Sequence, residues 1–121
     1  KLTQPPEKMT VLELASGSEL QKGQTIYTIG HSDGSKESWS YSEGLVRDVV
    51  KDFKWTNPVS SVSYRADIAV QTQTPINPGT AGAFLFDDQG KLAGMFVSSD
   101  AKDDRVNYAI SAKVFADFIS Q

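Results

Sequence analysis

Apolar and β-branched residues in this chain arrive in short bursts closed by Gly, Pro, Asn or Asp, and only the stretch after Ser111 changes period. Such a pattern asks for a sheet folded back on itself, with one helix at its end. Thr25-Ile26-Tyr27-Thr28-Ile29 stops at Gly30 and reads as a strand. Met9 to Ala15 alternates in part and suits another. Trp39 to Phe53 reads as one long or broken strand, with Gly44 as a bulge or bend. Lys51 to Val62, with Asn57-Pro58 and Ser60-Ser61, reads as a polar connection or long hairpin tip, and Tyr64 to Gln73 resumes strand character. Two prolines and two glycines shape the loop from Thr74 to Gly82. Ala83 to Phe86 is expected as a short buried strand. The turn Asp87-Asp88-Gln89-Gly90 then leads to a partner strand, Leu92 to Val97. After an exposed charged loop, Ser98 to Arg105, Val106 to Ser111 is a further strand. In Ala112 to Gln121 the residues Val114, Phe115, Phe118 and Ile119 fall on one helical face. Six or seven short strands without βαβ alternation predict an all-β antiparallel barrel with a C-terminal α-helix. Residues 1–8 are an extended lead-in, and 9–121 form the barrel.

Composition removes several functions. With no cysteine, disulfide scaffolds, thiolate zinc sites and thiol catalysis are excluded, and one histidine, His31, rules out multi-histidine metal sites. Twelve Lys and Arg against fifteen Asp and Glu leave a net charge of −3, which argues against nucleic-acid binding. The longest apolar run is far short of the roughly 20 residues that span a bilayer, so no membrane insertion by this segment is expected. The acidic residues Asp33, Asp87, Asp88, Asp100, Asp103 and Asp104 lack the spacing of a calcium loop and read as solvated turns. Neither a metal nor a cofactor is expected. No signal peptide is visible, and a chain opening at Lys1 reads as a fragment or processed product.

Asn77-Pro78-Gly79-Thr80-Ala81-Gly82-Ala83-Phe84, followed by Gly90-Lys91-Leu92-Ala93-Gly94-Met95, resembles the heart of trypsin-like serine proteases. Its form is similar to that of the bacterial high-temperature-requirement branch, which carries N-P-G-[NDT]-S-G-G-P, a hairpin and G-x-[LV]-x-G. Gln24 to Gly30, Glu43 to Val46, Gln71-Thr72-Gln73, Val106 to Ile110 and the closing helix agree in order, so the resemblance runs from about Met9 to Ser120. It implies a six-stranded Greek-key barrel, the second of that family's two lobes. The first lobe, which supplies the catalytic histidine and aspartate, is then an implied partner, and a periplasmic or otherwise extracytoplasmic location is implied with it. His31 lies where the family usually has asparagine, so it reads as a loop histidine and not the base.

The resemblance puts the nucleophile at position 81, where this chain has alanine. A methyl group cannot attack a carbonyl at any pH. Ala83 and Phe84 also replace the family's glycine and proline. The resemblance further implies an oxyanion hole from the backbone of Gly79, Thr80 and Ala81, for which the plainer reading is a tight turn. It implies a substrate-pairing edge at Val97, Ser98 and Ser99, and a specificity pocket between Pro75 and Ile76 on one wall and Asn107 on the other. With no acidic residue at its base, that pocket suits a small or medium apolar side chain; core packing is the plainer reading of Ile76 and Val97. Two readings follow: an inactive protease-like lobe that binds peptides or proteins, or the second lobe of a serine endopeptidase whose serine has been replaced. A third is a scaffold working through its aromatic face, since Trp39, Tyr41, Phe53, Trp55 and Tyr64 cluster around the long hairpin.

Overall fold

The computed structural model describes residues 3–15, 20–31, 39–76, 80–99 and 105–121, with Ser98 and Ser99 as backbone only. Six strands close into a barrel: β1 (Thr25–Gly30), β2 (Ser40–Thr56), β3 (Ser63–Thr72), β4 (Phe84–Asp87), β5 (Leu92–Ser99) and β6 (Asn107–Ser111). All pairings are antiparallel, in the order β1-β2-β3-β6-β5-β4, and β4 returns to β1. Three successive strands with the fourth beside the first make a Greek key. Closure leaves the body of the sheet without an edge. Inside sit Ile26, Val46, Val70, Leu85 and Phe96, each 2% exposed or less.

Local chemistry explains the joints. Asp87 Oδ1 accepts from the Gln89 and Lys91 N–H groups at 2.9 and 2.8 Å, and Gly90 supplies the positive φ of 76° that the β4–β5 turn requires. Ser111 ends β6 and caps α1 (Ala112–Ile119), its side chain accepting from the Lys113 N–H at 3.2 Å.

Four expectations need correction. Met9 to Ala15 forms no regular strand: it runs extended and touches β5 through one parallel bridge, Leu14 to Leu92. The irregularity of β2 lies between Val46 and Asp48, not at Gly44. Gly44 is glycine for another reason, because a Cβ there would stand 2.5 Å from the Thr74 Cα. Lys51 to Thr56 belongs to strand, so the hairpin tip shrinks to the residues from Asn57 to Val62. Ala83 to Phe86 is not buried throughout, since Phe84 faces outward at 42% exposure, and Phe118 and Ile119 on the helix are more than 70% exposed.

The outer halves of β2 and β3 leave the barrel. β1 pairs β2 only from Ser40 to Leu45, and β6 pairs β3 only from Ala69 to Thr72. Beyond those limits β2 and β3 pair each other alone, as far as Thr56 and Ser63. A stack of rings holds this ribbon: Tyr108 on Phe53 at 4.6 Å, Phe53 on Trp55 at 5.5 Å, and Trp55 on Tyr64 at 5.2 Å.

Candidate functional site

The loop carrying position 81 is fastened at its base. Thr74 is fully buried; its N–H donates to Thr72 Oγ1 at 2.9 Å, and the two hydroxyls lie 2.6 Å apart. Asn107, buried at the start of β6, donates through Nδ2 to the Thr74 carbonyl at 2.8 Å. Its Oδ1 has no hydrogen-bond partner among the described residues. Ile76 is half-buried against the core, whereas Pro75 is exposed. The three residues assigned to a specificity pocket therefore occupy different surroundings, and Asn107 works within the fold as the tie that holds Thr74. Gly79, Asn77 and Pro78 lie outside the described residues, as do Asp33, Asp100, Asp103 and Asp104.

From Thr80 the chain makes a turn that closes on β5. The Ala83 N–H donates to the Thr80 carbonyl at 2.8 Å, and the Gly82 N–H to the Phe96 carbonyl at 2.9 Å. Gly82 takes φ of 92°, which a residue with a side chain rarely adopts. Thr80 is buried and Ala81 exposed at the crest. No described residue accepts a hydrogen bond from the Ala81 N–H.

Ala81 lines a cavity of about 240 Å³ together with Ile29, Gly30, His31, Trp39 and the turn up to Phe84. The His31 and Trp39 rings meet edge to face at 6.4 Å. Sequence spacing did not bring these two residues to position 81; the signal was Gly30. An ideal Cβ on Gly30 would sit 2.5 Å from the Ala83 Cβ, so the end of β1 presses directly on the turn. From the cavity wall an apolar row crosses three strands, since Tyr41 pairs with Ile29 and Ile29 with Phe84. Tyr27 stacks on Tyr41 at 6.0 Å. Partial desolvation by its neighbours, then Glu43 and Tyr27, push the phenol of the exposed Tyr41 up from its ordinary value.

The segment from Val97 to Ser99 belongs to β5. Ser98 and Ser99 pair with Tyr108 and Asn107 of β6, and the register shifts between Phe96 and Ser98. On the other side β4 reaches only to Met95, and the turn bonds only to Phe96. Past Phe96, that side of β5 has no strand partner among the described residues. Among those residues, too, no helix is long and apolar enough to cross a membrane.

Comparison with known proteins places this geometry. The family model of the trypsin-like peptidase domain matches residues 1–95. The serine protease Do-like HtrA of Bacillus subtilis (strain 168) is 28% identical over 94 residues, which are 78% of this chain and 20% of that protein. The HtrA-type protease AlgW with decapeptide has the same fold, at a TM-score of 0.71 and 20% identity, over 90% of this chain and 32% of its own. The active form of the Rv3671c protease from M. tuberculosis also scores 0.71, at 16% identity, over 96% of this chain and 47% of its own. The chain thus spans a fifth of the curated relative and under half of either structure.

Proposed function

This chain belongs to the trypsin-like peptidase domain family, and from that premise we propose that it is a pseudoprotease lobe, one that binds peptide or protein without cleaving it. The observation that carries the reading is the methyl group of Ala81 at the exposed crest of the turn. Acyl transfer needs a nucleophile there, and a methyl group is not one. The replacements around it are settled parts of the fold. Ala83 is buried, its methyl fills the space over Gly30, and its carbonyl accepts from the Phe96 N–H at 3.0 Å. A lone serine-to-alanine exchange would leave these positions untouched, which favours an inactive lobe over a disabled endopeptidase.

Binding groups outlast the lost nucleophile because they are backbone. The Ala81 N–H, which meets no acceptor among the described residues, is a donor for a peptide carbonyl, with Thr80 beside it and Gly79 as the further oxyanion-hole residue that the resemblance implies. The free side of β5 at Val97, Ser98 and Ser99 takes an extended peptide as an added strand. Half-buried Ile76 and exposed Pro75 offer apolar contact to one side chain of that peptide, and Asn107 holds their loop in place.

A first barrel of the same parent is the second partner. The reading is supported by apolar surface that this lobe leaves in water: Phe118 and Ile119 on α1, and the row Tyr41, Ile29 and Phe84. An extracytoplasmic setting goes with it, on the resemblance.

The test is Ala81→Ser in a chain joined to a first barrel that supplies histidine and aspartate. No hydrolysis of a peptide substrate is expected, while an unmodified decapeptide shifts the amide resonances of Ala81 and Val97 to Ser99. Hydrolysis would make this lobe one exchange away from an enzyme; silent amides would remove the binding role.

A further inference from the structure

The β2–β3 ribbon carries a second feature that the protease resemblance does not use. Asn57 donates its N–H to the Val62 carbonyl at 2.9 Å, which makes that pair hydrogen-bonded. Along an antiparallel ladder the pairs alternate. Thr56–Ser63 and Lys54–Arg65 are then non-hydrogen-bonded pairs, whose backbone N–H and C=O groups point outward to the two edges of the ribbon. The 2.9 Å approach of the Thr56 and Ser63 hydroxyls fits that closer spacing.

On the β3 side, the edge is open for a stated reason. β6 covers β3 from Thr72 back to Ala69, and there Ser111 caps α1 and turns the chain away. An incoming strand would lie in the line that β6 vacates, opposite Ser63 and Arg65. At this place Lys54, Trp55, Thr56, Ser63, Tyr64 and Arg65 line a cavity of about 480 Å³, larger than the one at Ala81. Side chains alternate across a ribbon, so one face carries two cations and two hydroxyls, and the other carries the stacked Trp55 and Tyr64 rings. The guanidinium of Arg65 is oriented by an ion pair with Asp52, which takes φ of 53° within the strand. Lys54 is an exposed cation with no partner among the described residues.

We propose that this ribbon edge docks an extended peptide in which acidic residues alternate with apolar ones, added as a third strand beside β3. Its acidic side chains meet Arg65 and Lys54 on one face; its apolar side chains lie against Tyr64 and Trp55 on the other. Its backbone completes the outward groups of Ser63 and Arg65. Lys54 carries a charge with no partner among the described residues and Arg65 shares its own with Asp52, a local balance that chooses an acidic strand over a basic one. The site uses other strands than the Ala81 turn, and it stands or falls independently of the pseudoprotease reading.

The experiment titrates the chain into a fluorescein-labelled Glu-Val-Glu-Val-Glu-Val peptide and follows anisotropy. Two comparison peptides are the Lys-Val repeat and an acidic peptide N-methylated at alternate residues. Saturable binding is expected, at least about tenfold weaker for the Lys-Val repeat and for Lys54→Glu, and lost on N-methylation. Amide shifts at Ser63 to Arg65, and not at Val97 to Ser99, locate the site. Four results would overturn the proposal. They are no saturable binding, equal binding of the N-methylated peptide (charge alone), unchanged binding by a folded Lys54→Glu variant, or ribbon edges that prove closed by a second copy in sedimentation. Lys54→Gln, which removes charge without reversing it, should lie between wild type and Lys54→Glu.

Discussion

The closed barrel and the ribbon that leaves it share two strands, β2 and β3, which obey opposite rules in the two places. In the barrel each strand has two neighbours, and side chains such as Val46 and Val70 reach a shared core from which water is excluded. In the ribbon each strand has one neighbour, and of its side chains only the facing pair Phe53 and Ala66 is buried. Stability there comes from pairs of rings lying on one another and from a turn in which Asn57 Oδ1 accepts from the Val59 and Ser60 N–H groups at 2.8 and 3.1 Å. The barrel gains from cooperation among distant segments; the ribbon depends on contacts close in sequence. An isolated two-stranded ribbon is marginal in water. This one is anchored at its root by Tyr108, which stacks on Phe53 and takes a hydrogen bond from Gln71 Nε2 at 3.0 Å.

The difference predicts how each part fails. Phe96 is 1% exposed among the core residues. Phe96→Ala should lose about 3–5 kcal/mol in urea unfolding, because a cavity opens where several strands meet. Barrel and ribbon should then melt in one transition; a ribbon that persisted after the barrel had gone would break the comparison. Trp55→Ala should behave otherwise. It removes two ring contacts, worth about 0.5–1.5 kcal/mol each, from a segment with no core beneath it. Hydrogen exchange should quicken from Lys54 to Tyr64 while amides of Ile26 and Leu85 keep their protection.

The smallest effect belongs to the junction. Asp48 sits where the β2–β3 register shifts, bonded to Lys22 at 3.1 Å and to the Val49 N–H at 2.8 Å. The Lys22 ammonium, then the Val49 N–H, hold its carboxyl below the ordinary carboxylate range. A carboxyl lowered in the folded state contributes stability that is fully present above its unfolded pKa and lost as pH falls through the folded one. Asp48→Asn should therefore leave a slightly shallower acid limb in a plot of stability against pH, with little change at neutral pH, since both partners are exposed. An acid limb identical to wild type would mean the ion pair does not tie the ribbon's root.

How far the sequence could be read follows the same division. The Asp87 to Gly90 turn, the strand ending at Gly30 and the change from strand to helix after Ser111 were legible because each rests on residues within a few positions of one another. Lys54 to Thr56 reads as part of the polar connection because Asn57-Pro58 follows at once, although Phe53 and Trp55 alternate with Lys54 and Thr56 and share one face of the ribbon. Met9 to Ala15 looked like a strand, yet what it pairs with, Leu92, lies on a strand far along the chain. The helix shows an apolar face that nothing in this lobe covers at Phe118 and Ile119. At the site, Ala81 could be named from the motif around it, but His31 and Trp39 could not.

Sequence alone determined the all-β character with one closing helix, the turn at Asp87 to Gly90, and that position 81 holds a methyl group; short-range torsions and residue chemistry suffice for all of these. Only the tertiary structure decided why Gly44 must be glycine, which side of β5 is free, what shares the cavity with Ala81, and where β6 lets go of β3. Each depends on backbones distant in the chain approaching within van der Waals contact, and closure of the barrel alone brings them there.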